Sequence, residues 1–145
     1  MTEKSKTSES KPRPSEKQVD QKIAAAIRSR LQNEKLPCSR AFEIARELSA
    51  PLIDVGHHAD LLHVKISLCQ LGLFGYEPQK RIVEPAAAAA ATLGKAIKEE
   101  LVDGRLPCAA AFALAKERRI PRMDVSAACE SMKIKISSCQ LGAFS

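Results

Sequence analysis

The sequence predicts a mainly α protein made of two tandem three-helix units, each closed by a short β segment. Three observations predict it. A block of residues recurs at a constant offset of 70, apolar positions inside the block follow helical spacing, and aromatic residues make up only 3% of the chain, with no Trp. A core of Ala, Leu, Ile and Val suits closely packed helices better than a sheet built on large rings.

The repeat is gapless. Leu36-Pro37-Cys38 recurs as Leu106-Pro107-Cys108, and Ala41-Phe42 with Ala45 as Ala111-Phe112 with Ala115. Pro51, Asp54 and Val55 recur as Pro121, Asp124 and Val125. Lys65-Ile66-Ser67 and Cys69-Gln70-Leu71-Gly72 recur as Lys135-Ile136-Ser137 and Cys139-Gln140-Leu141-Gly142, and Phe74 recurs as Phe144. Such a match marks a duplication, so the two units share a fold. The chain divides into a disordered polar tail (1–17), a first unit (18–75), a connector (76–85) and a second unit (86–145).

Each element has its own signal. Ser15-x-x-Gln18 makes a capping box, and Val19, Ile23, Ala26, Ile27 and Leu31 follow at helical spacing, which predicts a first helix from Ser15. Its counterpart starts near Pro85, suited to the first helical position, and runs through the alanines to Leu93, Ile97 and Leu101. Asn33–Pro37 and Asp103–Pro107 break the chain. A second helix carries Phe42, Ile44, Ala45 and Leu48, or Phe112, Leu114 and Ala115. Pro51 and Pro121 open a third, with Val55, Ala59 and Leu62, or Val125, Cys129 and Met132, on its buried stripe. Val64-Lys65-Ile66 and Ile134-Lys135-Ile136 then alternate like short strands, and Gly72 and Gly142 mark turns before Phe74 and Phe144 fold back on the core.

Composition narrows the function classes. The net charge of +6 is spread as +2, +1, 0 and +3 over tail, first unit, connector and second unit. That is compatible with a polyanion partner without requiring one. No apolar run reaches the roughly 20 residues needed to cross a bilayer, and the N-terminus lacks the apolar stretch of a secretory signal. The expected setting is cytoplasmic, with no membrane partner. Five cysteines, an odd count with no Cys-x-x-Cys pair, read as thiols.

The segment from Ala41 to Val64 resembles a helix-turn-helix, with Ala45 where the helices cross, Ser49-Ala50 in the turn and Val55 on the buried side. Ala115, Arg119-Ile120 and Val125 repeat the pattern, although Ser49 and Arg119 stand where Gly is frequent. The short strand after the third helix is similar to the start of a wing in winged-helix proteins. The resemblance implies a DNA-binding, transcription-regulator-like protein whose third helices enter the major groove. Their outward positions would be Leu52, Ile53, Gly56, His57 and Asp60, and Arg122, Met123, Ser126, Ala127 and Glu130. Base reading relies on Arg, Lys, Asn or Gln, so the second unit is the better candidate, with Lys116, Arg118, Arg119, Arg122 and Ser126 as its DNA-binding residues.

Two rival readings use the same residues differently. One is a protein-interaction adaptor on a repurposed helix-turn-helix, with a protein as partner. The other is a metal or redox sensor built on Cys38, Cys69, Cys108 and Cys139, which calls for each unit's two cysteines to converge. Thiolates favour zinc or an iron–sulfur cluster, although the spacing matches no metal signature and no cofactor is the favoured expectation. Cys38 and Cys108 sit at the start of the second helix, where the helix dipole can lower a thiol pKa. Cys129, in place of Ala59, belongs to the core. Asp54 and Asp124 read as supports of the third helix, and Gln70 and Gln140 as partners of backbone in the closing turn. His57, His58 and His63 have no counterparts in the second unit. With no Gly-rich phosphate loop, nucleophile elbow or repeated acidic pair, an enzyme is not expected.

Overall fold

The computed structural model describes residues 19–86 and 91–145. In the first unit α1 (Gln21–Ser29), β1 (Leu36–Pro37), α2 (Cys38–Leu48), α3 (Leu52–Leu61) and β2 (Ile66–Ser67) follow in order. The second repeats the order with α4 (Ala91–Glu99), β3 (Leu106–Pro107), α5 (Cys108–Arg118), α6 (Arg122–Ser131) and β4 (Ile136–Ser137). The protein is mainly α, with short strands.

Helix α1 starts later than its apolar spacing suggests. Val19 and Asp20 are not helical, and the Asp20 carboxylate caps α1 by accepting from the amides of Lys22 and Ile23. Ser15 and Gln18 lie outside the described residues. Pro85 and Ala86 precede any helix, residues 87–90 lie outside the described set, and α4 is described from Ala91. Both helices also end early, so Leu31 and Leu101 pack on the cores from the segments that follow.

The chain break hides a strand. Gln32 bridges Lys35 across a two-residue turn in which Asn33 and Glu34 have φ 53° and 65°. Asp103-Gly104 forms the same turn between Val102 and Arg105, a position for which left-handed-tolerant residues are preferred. The turns deliver Leu36-Pro37 and Leu106-Pro107 as strands parallel to Ile66-Ser67 and Ile136-Ser137. The alternating segment after the third helix therefore pairs inward, beside the start of the second helix.

Helices α2 and α3 are joined by a short turn, with Ser49 left-handed at φ 51°, and Arg119 does the same between α5 and α6 at φ 58°. Pro51 and Pro121 precede the third helices, and Asp54 and Asp124 fall in their first turns, where a negative charge suits the helix dipole. Val55, Ala59, Val125 and Cys129 are fully buried, as their spacing suggests.

The two units exchange their closing loops. Cys69 and Leu71 belong to the core of the second unit, where Leu73 and Phe74 also pack. Leu141 belongs to the core of the first unit, with Cys139 against it. Across the same boundary Phe42 stacks on Phe112 with centroids 5.1 Å apart, and Phe74 meets Phe144 edge-on at 6.1 Å. Burying one Leu is worth about 1.5–3 kcal/mol, so each unit depends on the other for part of its core. The connector follows the exchange: Ile82 and Val83 donate to the Gly72 carbonyl, Arg81 pairs with Glu130, and the Ala86 amide donates to Ala127.

Candidate four-thiol site

Every repeated cysteine is brought to the boundary between the units. Cys38 and Cys108 are the first residues of α2 and α5, set there by strands that end in Pro37 and Pro107. Cys69 and Cys139 open the exchanged loops, just after Leu68 and Ser138 turn left-handed at φ 50° and 56°. The Cys69 amide donates to Phe74 O and the Gly72 amide to Cys69 O; Cys139, Phe144 and Gly142 repeat both bonds. Tyr76 adds a 2.7 Å bond from its hydroxyl to the Cys69 carbonyl.

These folds place Cys38, Cys69, Cys108 and Cys139 around one void of about 10 Å³, walled further by Phe42, Phe112, Phe74 and Phe144 and closed by Gln70 and Gln140. A void of that size admits about one water-sized probe. The Gln70 amide nitrogen donates to Cys38 Sγ at 3.4 Å, and Gln140 donates to Cys108 Sγ at the same distance. The backbone of each glutamine hydrogen-bonds the same thiol. Gln70 and Gln140 thus serve the sulfurs, where the closing turn alone suggested backbone partners.

The electrostatics differ from the expectation for a helix N-terminus. Burial pushes the Cys38 thiol up to about 11, against the opposing effect of the two Gln70 hydrogen bonds. Cys108 is pushed up by the same cause, with Gln140 opposing. Removal from water outweighs the helix dipole here, so both thiols are protonated at neutral pH and poor nucleophiles. Burial also pushes Cys129 up to about 11, in keeping with its place in the core. Among the described residues, no three His, Cys, Asp or Glu side chains already surround a common metal position. Of the four thiols, Cys38 and Cys108 are held by Gln70 and Gln140.

Of the residues expected to face DNA, Ser126 is buried and the four basic ones are exposed. Ser126 is 1% exposed and its hydroxyl has no partner, so it presents nothing to an outside ligand. Gly56, its counterpart, is buried against the Leu141 backbone, and Ile53 and Met123 lie against Gly142 and Gly72. The exchanged loops therefore cover Gly56 and touch Ile53 and Met123, while Ile53 and Asp60 stay exposed. Arg122 is exposed yet engaged, stacked 4.5 Å over the Phe112 ring and donating to Gln70 Oε1 at 2.5 Å. Lys116, Arg118 and Arg119 are exposed at the end of α5, with Arg118 donating to Thr92 O. Lys116, Arg119 and Arg122 rim a shallow surface depression.

The histidines are separate from the thiols. His58 is buried, donates from Nδ1 to Asp54 O at 2.8 Å and accepts the Asp20 amide at Nε2 at 2.9 Å, which ties α3 to the start of α1. His63 lines an open groove on the outer side of Phe74 and Phe144. Sequence spacing alone does not reveal that the thiols of both units share one void, because it does not show the exchange; the signal it offers is that Leu-Pro-Cys and Cys-Gln both recur in each unit. Among the described residues no helix is long and apolar enough to cross a membrane. Comparison with protein-family models, with curated proteins and with solved structures finds no match.

Proposed function

We propose that the protein is a sensor for a thiophilic metal ion, with zinc the simplest candidate, held by Cys38, Cys69, Cys108 and Cys139 between its two repeats. The observation that carries this reading is the convergence of all four repeated thiols on one void. Four sulfurs match the tetrahedral preference of zinc, and a space of about 10 Å³ suits a single ion better than an iron–sulfur cluster. Hydrogen bonds from Gln70 and Gln140 to Cys38 and Cys108 favour the thiolate form of these two residues. A peroxide-type redox sensor is less well supported, since such a cysteine needs a low pKa and solvent access. Because each unit contributes two ligands, binding would lock the units together and report metal as a change in their coupling. Anaerobic zinc titration followed by metal analysis tests the reading. One zinc per chain, lost when Cys38 and Cys108 are both changed to Ser, is the expected result, and no retained zinc in the wild type overturns it.

A second reading, a helix-turn-helix DNA-binding regulator, is favoured by one observation. Lys116, Arg118 and Arg119 stand exposed beside the α5–α6 turn, with Arg122 nearby. With Gly56 and Ser126 buried, this surface suits phosphate contacts better than base readout. Anisotropy on a mixed-sequence duplex, with salt raised from about 50 to 200 mM, should show micromolar binding that weakens steeply. Absence of binding at the low-salt end removes this reading. The adaptor reading is favoured by apolar, uncharged outer faces on α3 and α6, and the charged Asp60 and Arg122 stand exposed there.

A further inference from the structure

The duplication carries its own comparison. A surface depression of about 490 Å³ lies where α5 turns into α6, floored by Phe112, Ile120 and Pro121 and rimmed by Lys116, Arg119 and Arg122. At the equivalent rim positions the first unit holds Arg46, Ser49 and Leu52, and Glu43 stands where the second unit has Ala113. One acid and one base in the first unit thus correspond to three bases and no acid in the second. Glu43 is itself taken up by Arg30 and Arg40. The turn is the same in both units, since Ser49 and Arg119 are left-handed at φ 51° and 58°. The repeats differ here in charge on a common backbone.

We infer that this depression is a binding site for the polyphosphate chain of a small molecule. The inference is independent of the four-thiol reading, and it goes beyond the duplex reading by placing the ligand within one depression of one unit. Lys116, Arg119 and Arg122 are exposed and make no ion pair among the described residues. Like charges gathered in this way repel one another, and a multiply charged anion relieves the repulsion. Two of the three cations are arginines, whose paired N–H donors fit phosphate oxygens. Arg122 is already positioned, stacked 4.5 Å over Phe112 and donating from Nη1 to Gln70 Oε1. A side chain fixed in advance lowers the ordering cost of binding, and its other N–H groups face no printed partner but a ligand can take them. Glu117 and Asp124, the acids nearest in sequence, are exposed and do not line the depression. Its volume falls in the range of about 300–1,000 Å³ usual for small-molecule sites.

Isothermal titration calorimetry of the full-length protein tests this with tripolyphosphate, and in a second arm with adenosine triphosphate. Wild type should take up one tripolyphosphate per chain. Equal affinity in the two arms assigns recognition to the phosphate chain alone, and tighter binding of the nucleotide assigns part of it to the nucleoside; both support the site. Arg119→Ser with Arg122→Leu, which installs the first unit's residues, should weaken binding by about tenfold or more. Lys65→Ser with Lys135→Ser removes the same two charges from residues that do not line the depression, and should leave the affinity within about threefold of wild type. Arg119→Ser alone guards against a folding failure, because Ser49 already holds that backbone conformation, and it should weaken binding by itself.

No uptake of tripolyphosphate by wild type overturns the inference, and so does equal weakening in the two double variants. Duplex binding without tripolyphosphate binding overturns it and leaves the DNA reading standing. Tripolyphosphate binding without duplex binding supports it and removes the DNA reading.

Discussion

Gly56 and Leu141, one from each repeat, are in backbone contact: a Cβ built at residue 56 would stand 1.8 Å from the Leu141 carbonyl oxygen. No real side chain tolerates that distance. The contact seats the closing loop of the second unit on α3 of the first, and it explains why this helix carries glycine at a position where propensity alone disfavours it. Gly56→Ala should therefore cost roughly 1–3 kcal/mol or more by overpacking, despite alanine's better helix propensity. Urea unfolding checks this; an unchanged or higher midpoint contradicts the contact.

The equivalent position in α6 holds Ser126, whose buried hydroxyl has no partner. An unsatisfied buried polar group costs about 1–3 kcal/mol. Ser126→Ala should leave stability unchanged or raise it by about 1 kcal/mol, and a salt-sensitive DNA affinity should not depend on it. A clear loss of stability by urea unfolding would reveal a hydroxyl partner.

The exchange of loops predicts crossed effects. Leu141→Ala removes a core side chain from the first unit and should cost about 2–5 kcal/mol. Amide hydrogen exchange should speed in α1, α2 and α3 more than in α5 and α6, although Leu141 lies at the far end of the chain. Leu71→Ala should do the reverse. Protection lost mainly in each residue's own unit would refute the exchange.

Alkaline pH should weaken the metal-free protein. A thiol in the unfolded chain ionises near 9.0, whereas burial pushes Cys38 and Cys129 up to about 11 and raises Cys108 as well. Below pH 9 these groups are protonated in both states and their burial costs no ionisation energy. As pH rises from 9 toward 11 the unfolded chain loses protons first, so stability falls across that window. Thermal unfolding at stepped pH, with Cys129→Ala as a comparison, should show the fall shrinking in the variant.

Much of the helical framework was legible in the sequence because it depends on local rules. The spacing of Val55 and Ala59, the prolines before the third helices and the burial of Cys129 all follow from periodicity and backbone chemistry. The start of α1 is hard to read because Asp20, with its carboxylate on the Lys22 and Ile23 amides, caps the helix inside the run of helical spacing. Strands β1 and β3 leave no sequence signal, because two residues ending in proline show no alternation. The site was hardest to see. That Cys38 and Cys139 share a void depends on Leu71 and Leu141 crossing between units, and a duplicated sequence contains the same complementary surfaces whether its loops pack at home or cross over.

X-ray absorption on anaerobically prepared, zinc-loaded protein tests the four-thiol account most directly. The account predicts four sulfur neighbours at about 2.3 Å in a single zinc environment, and fewer sulfurs when Cys69 or Cys139 is changed to Ser. A zinc shell of nitrogen and oxygen, or a protein that retains no zinc after gel filtration, would contradict it.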